Sequence, residues 1–473
     1  MLPCQNPGMK LPLLLTLGVC LLPLTSPAAT HTLHSFRKVQ LDKYYWSEGA
    51  CFGDLNHDGK PDAISGPYWW EGPEFTQRHE LYPATTTFSL KKADGTEEKL
   101  PGFEGAFGKK NAYSGDNFFA FVHDFNGDGW NDVLTYGLPG TPAFLCINPK
   151  GQEKHWERHN VFDAVDNESP TFLDVTGDGK PEILCNSAGT FGYASPNWQQ
   201  VTAKWPFRSI STKGPWGNFN HGLGLGDVNG DGRMDILERG GWWEQPASGS
   251  TELWTRHPAA FSPGGGAQMF AYDVDGDGLN DIVTSIAAHG YGLGWYQQLR
   301  EKDAEGHPLF KTHVFMNKEK SENRYGVAFS QPHALELVDI NGDGLKDIVT
   351  GKCFWAHGPA GDPDPTAPAV LYWFELVRKA EGTVDWIPHL LDNDSGVGRQ
   401  IGVADVNADG KQDLIIGNKK GTFLFLHETR SVGEAEWMQS QPQVVFPDAG
   451  DKQLRPDQVI QRTGVAPQPP AKN

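Results

Sequence analysis

The sequence predicts an all-β chain, a seven-bladed β-propeller with a Ca²⁺-binding turn in each blade, and three observations carry that expectation. A nine-residue acidic pattern recurs seven times, a short β-favouring run follows each copy, and Trp, Tyr and Phe recur behind those runs. The composition agrees: 56 Gly and 34 Pro imply many turns, while 16 Trp and 26 Phe suit stacked sheets better than long helices. The 40 Lys+Arg against 59 Asp+Glu leave a formal charge of −19, which argues against a nucleic-acid surface.

The first element is the acidic turn. Its copies supply oxygen ligands from Asp54, Asn56, Asp58 and Asp62; Asp124, Asn126, Asp128 and Asp132; Asp174, Asp178 and Glu182; and Asp227, Asn229, Asp231 and Asp235. Asp273, Asp275, Asp277 and Asp281 follow, then Asp339, Asn341, Asp343 and Asp347, then Asp405, Asn407, Asp409 and Asp413. Side-chain oxygens at positions 1, 3 and 5, a carbonyl near 7 and a carboxylate at 9 can surround one hard cation, and Gly at 6 allows the sharp turn. Up to seven Ca²⁺ are therefore expected. Mg²⁺ fits less well because it demands a small octahedron and keeps its waters. Acidic Gly-rich turns also join strands without metal, but seven copies in register favour the cation. The third loop is the weakest, with Thr176 at position 3 and Glu182 at position 9.

The second element follows the closing acid, as in Ala63-Ile64, Val133-Leu134 and Ile348-Val349, short runs that read as strands. The third is aromatic: Tyr68-Trp69-Trp70-Glu71, Trp242-Trp243-Glu244, Gly294-Trp295-Tyr296 and Tyr372-Trp373-Phe374-Glu375. The fourth repeats as Trp156-x-x-His159, Trp254-x-x-His257, Phe310-x-x-His313 and Trp386-x-x-His389, with a looser version at Phe75 and His79; these His read as strand packing. Four strands per unit and about 58 residues between loops give the propeller, whose radial repetition leaves only short edges. Phe36 to Leu41 and Trp437 to Phe446 compete to supply the last strand of blade seven.

Residues 29–430 thus form the propeller. Residues 1–28 read as a signal peptide, with Lys10 before an apolar run and Ser26-Pro27-Ala28 for cleavage, so a secreted protein, periplasmic or extracellular, is expected. No stretch approaches the apolar length of a membrane span. Residues 431–473 are a C-terminal segment, a candidate closing strand and then a flexible tail. Cys4 and Cys20 leave with the signal; Cys51, Cys146, Cys185 and Cys353 are too scattered for a disulfide framework and read as buried packing.

The D-x-N-x-D-G-x-x-D loops followed by I-V or I-L resemble the FG-GAP and VCBS repeats of integrin-α-type propellers. That resemblance implies calcium and the fold, and it spans adhesion modules, lectin-like proteins and polysaccharide lyases.

Ligands of propellers bind around the central channel, where inner strands begin. Six positions before each loop-opening Asp stand Glu48, Phe118, Glu168, His221, Ala267, His333 and Arg399, and in a propeller these should ring one funnel, unless they are only solvated strand ends. The turns between second and third strands add His289 and His357, so four His from blades four to six share a sector. Such a cluster can hold a second divalent metal such as Zn²⁺ or supply a general base. Tyr291 joins the candidates, with Glu336, Asp392 and Asp394 ranked lower.

The stretches HGYGLGWY, SQPHALELVDINGDG and GKCFWAHGP are similar to the propeller domain of aldos-2-ulose dehydratases, which implies loss of water from keto sugars. A metal at His221, His289 and His333, proton movement by His357 or Tyr291, and hydroxyl orientation by Arg399 or Glu48 would suit metal-assisted lyase or dehydratase chemistry on keto sugars or glycans. The rival is a non-catalytic extracellular propeller for adhesion, holding a carbohydrate, a small molecule or a cell-surface protein. No G-x-S-x-G, P-loop or Rossmann fingerprint stands in suitable context, which leaves Ser hydrolysis, NTP use and NAD chemistry without support.

Overall fold

Strand pairing in a computed structural model of the chain describes, besides Met1, residues 30–108, 117–379 and 382–449. The expected signal peptide and most of the tail lie outside them. Apart from the hairpin Thr87–Lys91 with Glu97–Pro101, the described strands pair in successive antiparallel four-stranded units, hereafter blades, numbered in chain order. Blade one runs Cys51–Gly53, Asp62–Ser65, Tyr68–Trp70 and Arg78–Glu80. Blades two and three share the long strand Glu157–Leu173, whose two halves pair with Thr141–Ile147 and with Glu182–Ser187. Blades four, five and six open with Leu223–Gly226, Gln268–Tyr272 and Leu335–Val338.

Blade seven consists of Ile401–Ala404, Asp413–Asn418, Gly421–Gly433 and, as its fourth strand, the N-terminal Thr30–Asp42. Phe36 lies opposite His427 in that pairing. Trp437 instead belongs to the short helix Glu434–Ser440, so the Trp437 to Phe446 stretch forms no closing strand; the Trp437 ring stacks on His31 at 4.6 Å. Alternating burial along Thr30–Asp42 against a long, apolar third strand explains why the N-terminal candidate wins.

The core is divided among the seams between blades. Ile64 and Trp69 of blade one pack with Val133 and Trp156 of blade two, Leu184 and Phe191 of blade three with Ile236 and Trp243 of blade four, and Val283 and Trp295 of blade five with Ile348 and Trp386 of blade six. The last seam joins Leu424 and Val406 of blade seven to Ala63 and Trp70 of blade one, which closes the ring. Each seam buries several large aromatic side chains, each contributing roughly 1.5–3 kcal/mol. Cys51, Cys146, Cys185 and Cys353 are free and buried, as packing groups.

The acidic turns connect first and second strands throughout. In the first, Asp54 accepts from the backbone N–H groups of Asp58 and Gly59 at 3.1 and 2.9 Å, Asn56 from Asp58 at 3.0 Å, and Asp62 from Leu55 and Gly72 at 2.7 and 2.9 Å. Position 4 as well as position 6 is left-handed, which explains the Gly at both places in most copies; His57 and Ala408 hold φ 62° and 58° at position 4. Among the described residues, no helix is long and apolar enough to cross a membrane.

Candidate functional site

Each inner strand ends in an acidic turn, so its start faces the opposite side of the ring. The residues six positions before the turns, Glu48, Phe118, Glu168, His221, Ala267, His333 and Arg399, are all at most 8% exposed and are not solvated strand ends. Three of them, Glu168, His221 and His333, converge with His289. One donor atom from each of Glu168, His221, His289 and His333 lies within 4.8 Å of the other three. His221 Nε2 is 2.8 Å from His289 Nε2, His289 Nδ1 is 3.1 Å from His333 Nε2, and His221 Nε2 is 3.5 Å from Glu168 Oε1. These side chains come from blades three, four, five and six.

Local backbone chemistry holds them. Gly265 has φ 75° and a Cβ there would stand 2.7 Å from His221 Cβ, so only Gly lets this turn approach the ring. The His289 turn is tied down where Gly290 accepts from the Gln331 N–H at 2.8 Å. Gln331 is itself left-handed, with φ 64°, and its carbonyl faces His333 Nδ1 at 3.3 Å. Its buried side-chain amide has no hydrogen-bond partner among the described residues.

Burial makes the imidazoles poor bases. It pushes His221 down to about 3, with the Arg399 and Arg239 charges adding to the effect. It pushes His289 down to about 2, helped by the neighbouring His221, and His333 well below the usual range, helped by Arg399. All three are neutral at physiological pH. Neutral imidazole is the form that ligates metal, so the general-base role suits none of the three, and three imidazoles with one carboxylate are a donor set for Zn²⁺, Mn²⁺ or Fe²⁺.

The remaining candidates divide. Arg399 is 1% exposed and is occupied by Glu168 Oε2 at 2.9 Å and Cys353 Sγ at 3.1 Å, so it orients Glu168 rather than a ligand hydroxyl. The His357 ring lies 4.2 Å from that of His289, tilted by 47° to it, beside Asp362 at 3.6 Å, with its side chain 42% exposed. Tyr291 donates to Asp364, and burial raises its phenol well above the usual range. Glu48 accepts from the Tyr45 hydroxyl at 2.5 Å and lies 3.8 Å from Lys419, in a separate buried group. Asp392 and Asp394 pair with Lys38 and Lys420, away from the histidines. Glu336 sits on the inner strand of blade six, where burial pushes its carboxyl up to about 7.

The axis is bridged below this cluster. Gln268 donates to the Arg399 carbonyl at 2.8 Å and accepts from Leu335 N–H at 2.9 Å, while Gln400 exchanges two bonds with Ala120 at 2.9 and 3.0 Å. The Gln268 bond to Arg399 and the Gln400 bonds to Ala120 join blades that are not neighbours, so the expected funnel is crossed at this depth. Sequence reasoning passed over Gln268, Gln400 and Gln331, and it placed Glu168 in the ring without making it a ligand. The register carried the signal for Glu168; none marked the glutamines.

The acidic turns crowd their carboxyl groups. Burial pushes their closing carboxyls up to about 6 in Asp62 and Asp132, about 7 in Glu182, Asp235 and Asp281, and about 8 in Asp347, with the neighbouring loop acids adding to the rise. Carboxylates crowded in this way fit a bound positive charge. Carboxylate oxygens of Asp273, Asp275 and Asp281 lie within 4.8 Å of one another.

Residues 124–185 match the FG-GAP-like repeat and residues 397–426 the FG-GAP repeat, and with the all-β fold these matches support an FG-GAP β-propeller. Within that class the chain is similar to the rhamnogalacturonan endolyase YesW of Bacillus subtilis (strain 168), at 23% identity over 363 residues that cover 70% of this chain and 52% of that protein. The chain thus spans about half the length of the curated relative it matches. Similar solved structures include an Agrocybe aegerita lectin that recognises non-reducing terminal N-acetylglucosamine (TM-score 0.43, 17% identity, 80% of this chain and 84% of that one). Another is rhamnogalacturonan lyase YesW (TM-score 0.38, 14% identity, 82% and 75%).

Proposed function

We propose that this protein is a secreted, calcium-binding propeller that binds a carbohydrate beside a divalent-metal centre of Glu168, His221, His289 and His333 and acts on it as a carbon–oxygen lyase. The observation that carries the reading is the meeting of four donors from four blades, three of them imidazoles kept neutral by burial. The sequence similarity to a rhamnogalacturonan endolyase supports the carbohydrate and the reaction class. Secretion rests on the N-terminal sequence, with its basic residue, apolar run and small-residue cleavage site.

A metal at these ligands would supply Lewis-acid polarisation of a sugar carbonyl or carboxylate. The chain's own groups do the rest. Arg399 fixes the Glu168 carboxylate through its 2.9 Å ion pair, and Gln331 fixes His333. His357, the exposed ring 4.2 Å from His289, is the group placed to take the proton beside the carbonyl as the β-oxygen departs. In the seven acidic turns, Ca²⁺ would offset the crowded carboxylates and brace each first and second strand.

A screen of uronic-acid glycans and keto sugars, read by ultraviolet absorbance of the new C=C bond, tests this reading. Turnover by the native protein that falls at least 100-fold in His289→Gln and His357→Gln supports it. The bridged axis favours a second reading, a binder without turnover, and sugar-dependent stabilisation with no absorbance change on any substrate would select it over the lyase.

A further inference from the structure

The fourth-strand histidines do more than fill the seams. In blade four His257 stacks on Trp242 at 4.2 Å and its Nε2 lies 2.7 Å from Glu244 Oε2. The other oxygen of Glu244 accepts from Asn229 Nδ2 at 3.3 Å, and Asn229 is position 3 of the acidic turn. Blade six repeats the chain of contacts: His389 stacks on Trp373 at 4.3 Å and bonds Glu375 at 2.9 Å, and Glu375 accepts from Asn341 at 3.2 Å. Blade one carries the same stack and bond in Trp69, His79 and Glu71, with Asn56 lining the same cavity.

Blade five inverts the chemistry. Position 3 of its turn is Asp275, and the residue facing it is Gln297. Gln297 Nε2 donates to Asp275 Oδ2 at 2.6 Å, while its Oε1 faces His313 Nε2 at 3.0 Å; His313 stacks on Trp295 at 4.3 Å. Where the turn offers an amide the third strand offers a carboxylate, and where the turn offers a carboxylate the third strand offers an amide. Each pair keeps one negative charge and matches donor to acceptor. Packing of a histidine against a tryptophan requires neither match. In blades two and seven, Ile147 and Leu426 precede the residue whose N–H reaches the closing acid, so no such chain exists there.

We propose that His257, His313 and His389, acting through Glu244, Gln297 and Glu375, are positioning residues that fix the rotation of the position-3 side chain and so set the calcium affinity of the turns in blades four, five and six. The inference rests on the calcium reading of those turns. The histidine donates to one oxygen of the third-strand residue, whose far end holds the turn residue so that its remaining oxygen faces the ring of loop carboxylates. Losing such an outer partner costs about 10–100-fold in metal affinity at other sites.

The test is a calcium titration of the full chain, stripped with chelator, against a chelating dye that counts tightly bound ions. Gln297→Glu sets a carboxylate against Asp275. Although it adds a negative charge, it should weaken one site about 10–100-fold, and Asp275→Asn together with Gln297→Glu, which recreates the blade-four pairing, should restore it. Binding by Gln297→Glu as tight as or tighter than native, or no rescue in the double variant, overturns the proposal while leaving the calcium reading intact. A native chain that takes up no calcium overturns both. Thermal melting in chelator checks that the variants fold; if Gln297→Glu does not, Asn229→Asp with and without Glu244→Gln reads the same relation in blade four.

Discussion

Arg399 of blade seven lies 2.9 Å from Glu168 of blade three, and both are almost completely buried. The pair spans the ring, and Glu168 in turn reaches within 3.5 Å of His221. A single buried contact therefore links the closure of the propeller to the geometry of the histidine cluster. Removing one partner leaves an uncompensated charge in low dielectric, which costs about 3–5 kcal/mol. Arg399→Met should lower thermal stability by that amount in a denaturant melt and loosen the cluster, whereas replacing both residues by Met should recover part of the loss. Equal stability of Arg399→Met and the native chain would show that the pair is not held in solution.

Calcium removal should be felt across the whole ring. Each occupied turn adds about 2.7 kcal/mol when free calcium exceeds its dissociation constant about 100-fold. Excess chelator should lower the melting temperature by many degrees and readdition should restore it. A melt indifferent to chelator would contradict the role given to the seven turns.

The blade-seven clasp predicts a pH dependence. His34 Nδ1 lies 2.9 Å from His427 Nε2. Burial lowers both rings, His427 to about 4 with the His34 charge adding to the effect, while the Glu375 charge raises His34 in part and the His389 and Lys411 charges lower it. Below its ordinary 6.5 the unfolded histidine binds a proton that the folded one refuses, so this stability is complete above about pH 6.5 and is lost as pH falls toward 4. The slope for His427 should be about 1 kcal/mol per pH unit. Lower amide protection factors in Thr30–Asp42 on acidification, taken relative to the intrinsic exchange rate at each pH and flattened in His427→Phe, check it.

The closing strand makes a separate prediction. Thr30–Asp42 supplies a complete outer strand to Gly421–Gly433. Deleting residues 30–42 should expose that edge and cause aggregation or a large fall in melting temperature, while deleting 434–449 should cost far less. The reverse order would assign closure to the C-terminal segment.

Much of this architecture was legible because the chain states it seven times. The Asp-Gly turns fix where first strands end and second strands begin, and counting back six residues located Glu168, His221, His333 and Arg399 from positions hundreds of residues apart. The same count placed Glu48 and Arg399 in one ring but could not reveal that Tyr45 occupies the first and Glu168 the second, because those partnerships depend on side-chain reach across the axis. The crossing by Gln268 and Gln400 was hidden for a similar reason: a glutamine on an inner strand has no periodic signature. The choice between two closing strands turned on a long-range pairing that neither segment's composition decides. His257, His313 and His389 read as packing because the Trp spacing dominates their pattern, while their bonds to Glu244, Gln297 and Glu375 emerge only from strand register.

The central claim is that Glu168, His221, His289 and His333 hold one divalent transition metal. Elemental analysis of gently purified protein, beside a His221→Ala/His333→Ala double variant that retains its calcium-dependent melt, measures this most directly. About one equivalent of zinc, manganese or iron per native chain, absent from the double variant, is the predicted result. A native chain with none of these metals, and no uptake on adding them, would contradict it.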